Sequence, residues 1–301
     1  MAGHWTRTFS FVTGAVRFSD LSYIAMSADE LEKANYPHTD FVEWDAGDWR
    51  DGGRTLWPIA GMAIAQEPLQ QMCAVGIHGE VLLMGSGDRH DEQIGTGPDL
   101  IKVRGPLRGV RTIGEHVYAV GLNRQVWRRD GAHQWISMDQ GAQPTGGNKE
   151  VVGFEAVDGF SESDIYAVGW GGEIWHYSGT WGQKQSPTNT VLTRVLCAGN
   201  GIVYASGRKG LLIRGRNDSW EVVDHGSMID DIWDLAWYRE KLYLSTMHGV
   251  FTLDRNGLLP VDFGEGVPDS CYHLSAANGV LWSIGGKDIM AFDGSHWARI
   301  D

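Results

Sequence analysis

Apolar residues along this chain come in short runs broken by glycine, and the runs recur in a fixed order. The clearest unit is "IYAVGWGGEIWHYSGTW", which begins at Ile165. Its first run, residues 165–168, is continuously apolar, as a strand covered on both faces should be. The next run, residues 173–177, alternates, with Ile174 on one face and Trp175 on the other. Gly169, Gly171 and Gly172 between the two predict a tight turn. Upstream of such units lie further apolar runs, at residues 195–198, 232–236 and 272–276, which predict an innermost strand. Downstream, the segments opened by Trp135, Trp220 and Trp297 predict an outermost one.

The unit repeats along the chain. "VYAVGLNRQVWRRDGAHQW" begins at Val117, "VYASGRKGLLIRGRNDSW" at Val203, "LYLSTMHGVFTLD" at Leu242 and "LWSIGGKDIMAFDGSHW" at Leu281. A looser copy begins at Met72, and the weakest is "SYIAM" at Ser22. Aligned on the second residue, the anchors are Tyr23, Cys73, Tyr118, Tyr166, Tyr204, Tyr243 and Trp282, separated by 50, 45, 48, 38, 39 and 39 residues. Spacings of that size fit four short strands per unit. Seven such units predict an all-β, single-domain, seven-bladed β-propeller of four-stranded antiparallel blades. The approximate blades are residues 1–57, 58–104, 105–149, 150–190, 191–224, 225–263 and 264–301. His4-Trp5-Thr6-Arg7-Thr8 mimics His296-Trp297-Ala298-Arg299-Ile300, so the ring is expected to close by pairing of the N- and C-terminal segments.

Composition agrees with a turn-rich β chain: there are 41 glycines without a collagen period, and 14 tryptophans. The formal net charge of −13 argues against nucleic-acid or membrane binding, which needs a basic footprint, and favours a basic partner. Cys73, Cys197 and Cys271 are odd in number, widely spaced and set among apolar residues, so no disulfide framework or zinc site is expected. No apolar run of signal-peptide or membrane-spanning length occurs, and a cytoplasmic location is the expectation.

Asp130-Gly131 with Trp135, Ser178-Gly179 with Trp181, and Asp293-Gly294 with Trp297 resemble degenerate Asp-box turns. Turns of this kind recur in the propellers of sialidases, bacterial-neuraminidase-repeat proteins and photosystem assembly factors. The resemblance implies a fold and not an activity. A sialidase would imply an arginine-isoleucine-proline motif, which this chain lacks.

No chemical motif completes itself. Gly159-Phe160-Ser161-Glu162-Ser163 lacks the closing glycine of a nucleophile elbow. Gly85-Ser86-Gly87-Asp88 lacks the third glycine of a dinucleotide loop. Asp45, Asp48 and Asp51 lie three apart, a poor fit to a calcium loop, and are expected in a solvated connection between blades one and two. His90, between Asp88, Asp91 and Glu92, is expected in an exposed polar loop. Neither a metal nor a cofactor is expected.

What remains is a surface. Turns between second and third strands, with the inter-blade connections, should form the funnel face where propellers bind. The turns supply His78, Glu80, Asn123, Arg124, Trp170, Glu173, Arg208, Lys209, Met247, His248, Lys287 and Asp288. The connections are expected to add an acidic rim of Asp45, Asp48, Asp51, Asp88, Asp91, Asp224, Asp230, Asp231, Glu265 and Asp269, together with Trp49. Most tryptophans repeat from blade to blade and read as packing. Trp170 does not, since its equivalents are Ile77, Leu122, Arg208 and Met247, and it is the aromatic most suited to anchoring a partner. Trp170, His78, His248, Arg124, Arg208, Lys209, Asp230, Asp231, Asp48 and Trp49 are the candidate partner-binding residues.

These features favour a non-enzymatic propeller, monomeric when free, that binds a basic protein through an acidic-rimmed face. The sharper form is a bacterial cytoplasmic immunity protein that neutralises a basic, nuclease-like toxin. One alternative is a carbohydrate-binding propeller in which Trp170 and Trp49 stack on sugar rings. The other is a hydrolase or lyase using funnel carboxylates such as Glu80 and Glu173.

Overall fold

Each of the seven anchors falls on the second strand of a four-stranded sheet, where the run is continuously apolar because sheets pack on both of its faces. The computed structural model describes residues 5–95, 101, 104–144 and 151–301. Its strands form seven antiparallel sheets, each built from four strands in sequence order. The second strands are Leu21–Ala28, Gln71–Gly76, His116–Gly121, Asp164–Gly169, Val203–Gly207, Lys241–Ser245 and Val280–Ile284. Tyr23, Cys73, Tyr118 and Tyr166 on them are wholly buried. The chain is an all-β, seven-bladed propeller of four-stranded antiparallel blades.

Two compact units divide the chain: Met1–Ile59 with Asp224–Asp301, and Ala60–Val223. The first holds blades one, six and seven, and the second holds blades two to five. In the first unit, Phe11, Val16, Ile24, Met26, Val42, Trp282, Ile284 and Ile289 form one apolar layer between blades one and seven. In the second, Tyr118, Val120, Phe154, Ile165, Ala167 and Trp175 do the same between blades three and four. Trp127 and Trp175, equivalent on their third strands, are both buried.

The glycine closing the "YAVG" run has a steric cause. A Cβ at Gly121, Gly169, Gly207 or Gly285 would collide with the carbonyl oxygen of Pro106, Gly153, Val191 or Ser270 respectively. At this point of blades three, four, five and seven the second strand presses against the entering inter-blade connection, and only a hydrogen fits. The next repeat position ties the same connection down from the other side. Glu173 accepts from the Gly153 amide at 3.3 Å, and Asp288 accepts from the Asp269 and Ser270 amides at 3.0 and 3.1 Å. The side-chain Nε2 of Gln125 donates to the Gly105 carbonyl at 2.7 Å.

Two expectations need correction. The Asp45–Asp51 stretch is no inter-blade connection: Thr39–Asp45 and Asp48–Thr55 are the outer strands of blade one, joined by a two-residue hairpin. Ala46 (φ 51°) and Gly47 (φ 100°) supply the left-handed turn. Asp48 and Trp49 therefore lie at the opposite end of the blade from the second-to-third-strand turns, because successive turns of an antiparallel sheet alternate ends. Asp88 and Asp91 are displaced for the same reason, onto the outer strand Asp88–Gln93 with His90. The termini also do not share a sheet. The Trp297–Arg299 strand pairs only within blade seven, Phe9–Phe18 is the first strand of blade one, and residues 5–8 form a turn. His4 lies outside the described residues. The seven sheets are contiguous groups of four strands, and blade one meets blade seven through packed side chains and a hydrogen bond from the Phe11 amide to the Gly286 carbonyl at 2.9 Å.

Candidate functional site

A binding face needs side chains that the blades do not consume in their own hydrogen bonds. In the second unit Trp170 opens a single 3-10 turn, Trp170–Gly172, whose reversal needs Gly171 at φ 66° and Gly172 at φ 73°. Its indole N–H donates to Glu155 Oε1 at 2.6 Å, and Arg108 Nε stands 3.8 Å from the same oxygen. Arg108 and Glu155 belong to the first strands of blades three and four, so a half-buried indole and carboxylate are joined by an exposed guanidinium.

Arg124 is spent differently. It lies over the Trp175 ring at 4.9 Å, donates from Nε to Glu173 Oε2 at 2.7 Å, and its side chain is only 16 % exposed. The other N–H on Glu173 Oε2 comes from Trp175 Nε1 at 3.0 Å. Glu173 thus has both oxygens occupied by its own blades, which leaves it poorly placed as a general acid or base. Arg208 and Lys209 are exposed on the turn of blade five, with Lys209 in the left-handed region at φ 56°. His78 is exposed, and its backbone N–H donates to Glu80 Oε2 at 3.1 Å.

In the first unit the corresponding turn of blade six exposes Met247 and His248. The connection into that blade carries Asp230, exposed, and Asp231, half-buried, and ends on Trp233. That indole meets Tyr272 edge to face at 5.5 Å. Trp233, expected on an innermost strand over residues 232–236, stands just before that strand, which runs Asp234–Tyr238, at the position that Tyr272 holds in blade seven. Lys287 is committed, donating to Asp29 Oδ2 and the Phe9 carbonyl at 2.7 Å each. Trp49 is likewise structural. Its N–H donates to the Ile300 carbonyl at 2.9 Å and its half-buried ring meets Trp282 at 6.4 Å.

The remaining chemistry is muted. Burial pushes the Cys73 thiol up to about 12 and the Cys271 thiol up to about 11, and it raises Cys197 as well. None of the three supplies a thiolate nucleophile at neutral pH. Among the described residues no group of three or more His, Cys, Asp or Glu side chains is arranged to hold a metal ion. Glu92 is buried between blades two and three. Desolvation raises its pKa, but hydrogen bonds from Arg129, the His133 amide and Trp135 outweigh it and hold the carboxyl at about 2. That pair braces the fold and faces no cleft.

No protein-family profile matches the chain. Among solved structures, YCF48 bound to D1 peptide superposes with a TM-score of 0.58 over 80% of both chains at 12% identity. YCF48 from Cyanidioschyzon merolae gives 0.58 over 80% of this chain and 84% of that one, at 14% identity. The extracellular domain of the hybrid two component system BT4673 from B. thetaiotaomicron gives 0.66 over 95% of this chain and 38% of that one, at 13% identity. Similarities at these identities bear on the fold alone. In sequence, the chain is 47% identical over 298 residues, 97% of each protein, to the immune protein Tsi7 of Pseudomonas aeruginosa. The chain belongs to the family of that immune protein.

Proposed function

We propose that the chain is a toxin-neutralising immunity protein that acts by binding its cognate toxin and carries out no chemistry of its own. The observation that carries this reading is the 47% identity to an immune protein along nearly the whole of both chains. The committed carboxylates and the protonated thiols accord with it. A net charge of −13 favours a basic toxin, such as a nuclease, met in the cytoplasm, because opposite charge speeds encounter and selects the partner.

Binding is assigned to the ends of the blades that carry the second-to-third-strand turns and the inter-blade connections. In the second unit the contributors are Trp170, His78, Arg208 and Lys209; in the first they are His248, Asp230 and Asp231. Arg124 contributes by bracing the turn, through Glu173 and Trp175. We read the turn at Asp293, whose carboxylate accepts from the Ser295 and His296 amides, as a degenerate Asp-box that maintains the fold at the other end of its blade.

Co-expression with the cognate toxin tests the reading. The wild-type chain should restore growth, and it should form a complex with the toxin that weakens as salt is raised. Continued killing at full expression of the chain would overturn it.

A further inference from the structure

Three loops of the first unit leave an apolar patch uncovered. They are the connection at residues 224–233, the turn at residues 246–249 and the connection at residues 261–272. Backbone hydrogen bonds tie them to the blade or to each other: the Trp233 amide donates to the carbonyl of Ser245, the last residue of the second strand, at 2.8 Å, and the Cys271 amide donates to the Met247 carbonyl at 3.0 Å. Ser245 Oγ adds a bond to the Tyr272 carbonyl at 2.8 Å. This frame presents large apolar side chains to solvent. Trp233 is 43% exposed, Met247 42%, Val267 68% and Ile229 77%. Trp233 is supported along one edge by Tyr272 and open elsewhere.

Asp230 and Asp231 lead directly into Trp233, and Asp269 lies two residues before Cys271. Asp224, Asp262 and Glu265 belong to the other end of the blades, where His225 adjoins Gly257 and Asp262 and Glu265 share a pocket with Ser295 and His296. The three loops carry no lysine or arginine. The second-unit turns differ in this respect, holding Arg124, Arg208 and Lys209. An exposed tryptophan and methionine bordered by Asp230, Asp231 and Asp269 have the composition of an interface core, in which aromatic residues and Met are enriched and charge is confined to the edge.

We propose that Trp233 and Met247 are the anchor by which this chain holds its toxin, and that the toxin surface they meet is an apolar ridge flanked by lysines or arginines. The assignment rests on the immunity reading above, and the charge complementarity selects a basic partner over a second copy of this acidic chain. Trp233 supplies the buried contact that slows dissociation, and the rim speeds association.

The test uses the full chain and the cognate toxin, defined as the protein whose lethality the wild-type chain suppresses. Trp233→Ala and, separately, Met247→Arg should weaken binding of purified toxin at least about thirty-fold, the loss expected of a hot spot. Thermal unfolding of both variants should stay within a few degrees of wild type. Asp230→Lys should slow association and flatten its salt dependence. Leu259→Ala, on the outermost strand of blade six, should change nothing. A toxin that binds and is neutralised equally by wild type, Trp233→Ala and Met247→Arg would overturn the anchor while leaving the immunity reading intact. A chain that protects against no toxin would overturn both.

Discussion

Replacing Glu92 by Ala should be among the most damaging single changes in the second unit, although Glu92 lies on an outer strand, Asp88–Gln93. Its side chain is 0% exposed, and that of its partner Arg129 is 1% exposed. The carboxylate accepts from Arg129 Nε at 3.0 Å, Arg129 NH2 at 2.7 Å, the His133 amide at 3.0 Å and Trp135 Nε1 at 2.9 Å. Arg129 also reaches the Glu67 carbonyl at 2.8 Å, so one cluster stitches blade two to blade three. Truncation at Glu92 strands a buried guanidinium and two further N–H donors. Breaking a buried pair from one side costs about 3–5 kcal/mol. At roughly 2 °C per kcal/mol for a chain of this length, Tm should fall by about 6–10 °C. The pH dependence follows the same pair. Glu92 is depressed from 4.5 to about 2 in the folded protein, so its contribution is complete above about pH 4.5 and is lost as pH falls through about 2. Calorimetry on Glu92→Ala, Arg129→Met and the double variant should show a double loss well short of the sum of the singles. Strict additivity, or a Tm within about 2 °C of wild type for Glu92→Ala, would refute the reasoning.

Three further outcomes follow from the packing. Gly169→Ala drives a methyl into the Gly153 carbonyl and should cost about 2 kcal/mol in chemical denaturation, with Gly182→Ala, which meets open space, near neutral. Trp49→Ala should lose about 3 kcal/mol of stability, because its ring packs on Trp282 and its N–H holds the Ile300 carbonyl; toxin affinity should not change. Cys73, fully buried and held protonated to about 12, should react with alkylating reagents at neutral pH only at the rate at which its blade opens.

Much of this architecture is legible in the sequence, because a propeller repeats one packing problem seven times. Tyr118, Tyr166 and Trp282 mark second strands since the same two-sided burial recurs at each, and Gly169 recurs since the same carbonyl presses on it. Legibility fails where the repeat is interrupted. The carboxylates at Asp45, Asp48 and Asp51 look like a solvated connection, yet Ala46-Gly47 makes a hairpin of them and turns Trp49 into the core. Arg124 reads as an exposed cation, but its guanidinium is stacked on Trp175, a contact set by the neighbouring blade and invisible in local pattern. Trp233 hides for the opposite reason. The apolar run at residues 232–236 reads as an interior strand, but the strand begins at Asp234 and leaves the Trp233 ring 43% exposed.

The central claim is neutralisation by binding, and the most direct measurement is titration of the purified chain into its cognate toxin while toxin activity is followed. Inhibition should be stoichiometric and complete at one chain per toxin, and the toxin should be released intact and active when high salt dissociates the complex. A toxin that stays active at excess chain, or that emerges from the complex chemically altered, would contradict the account.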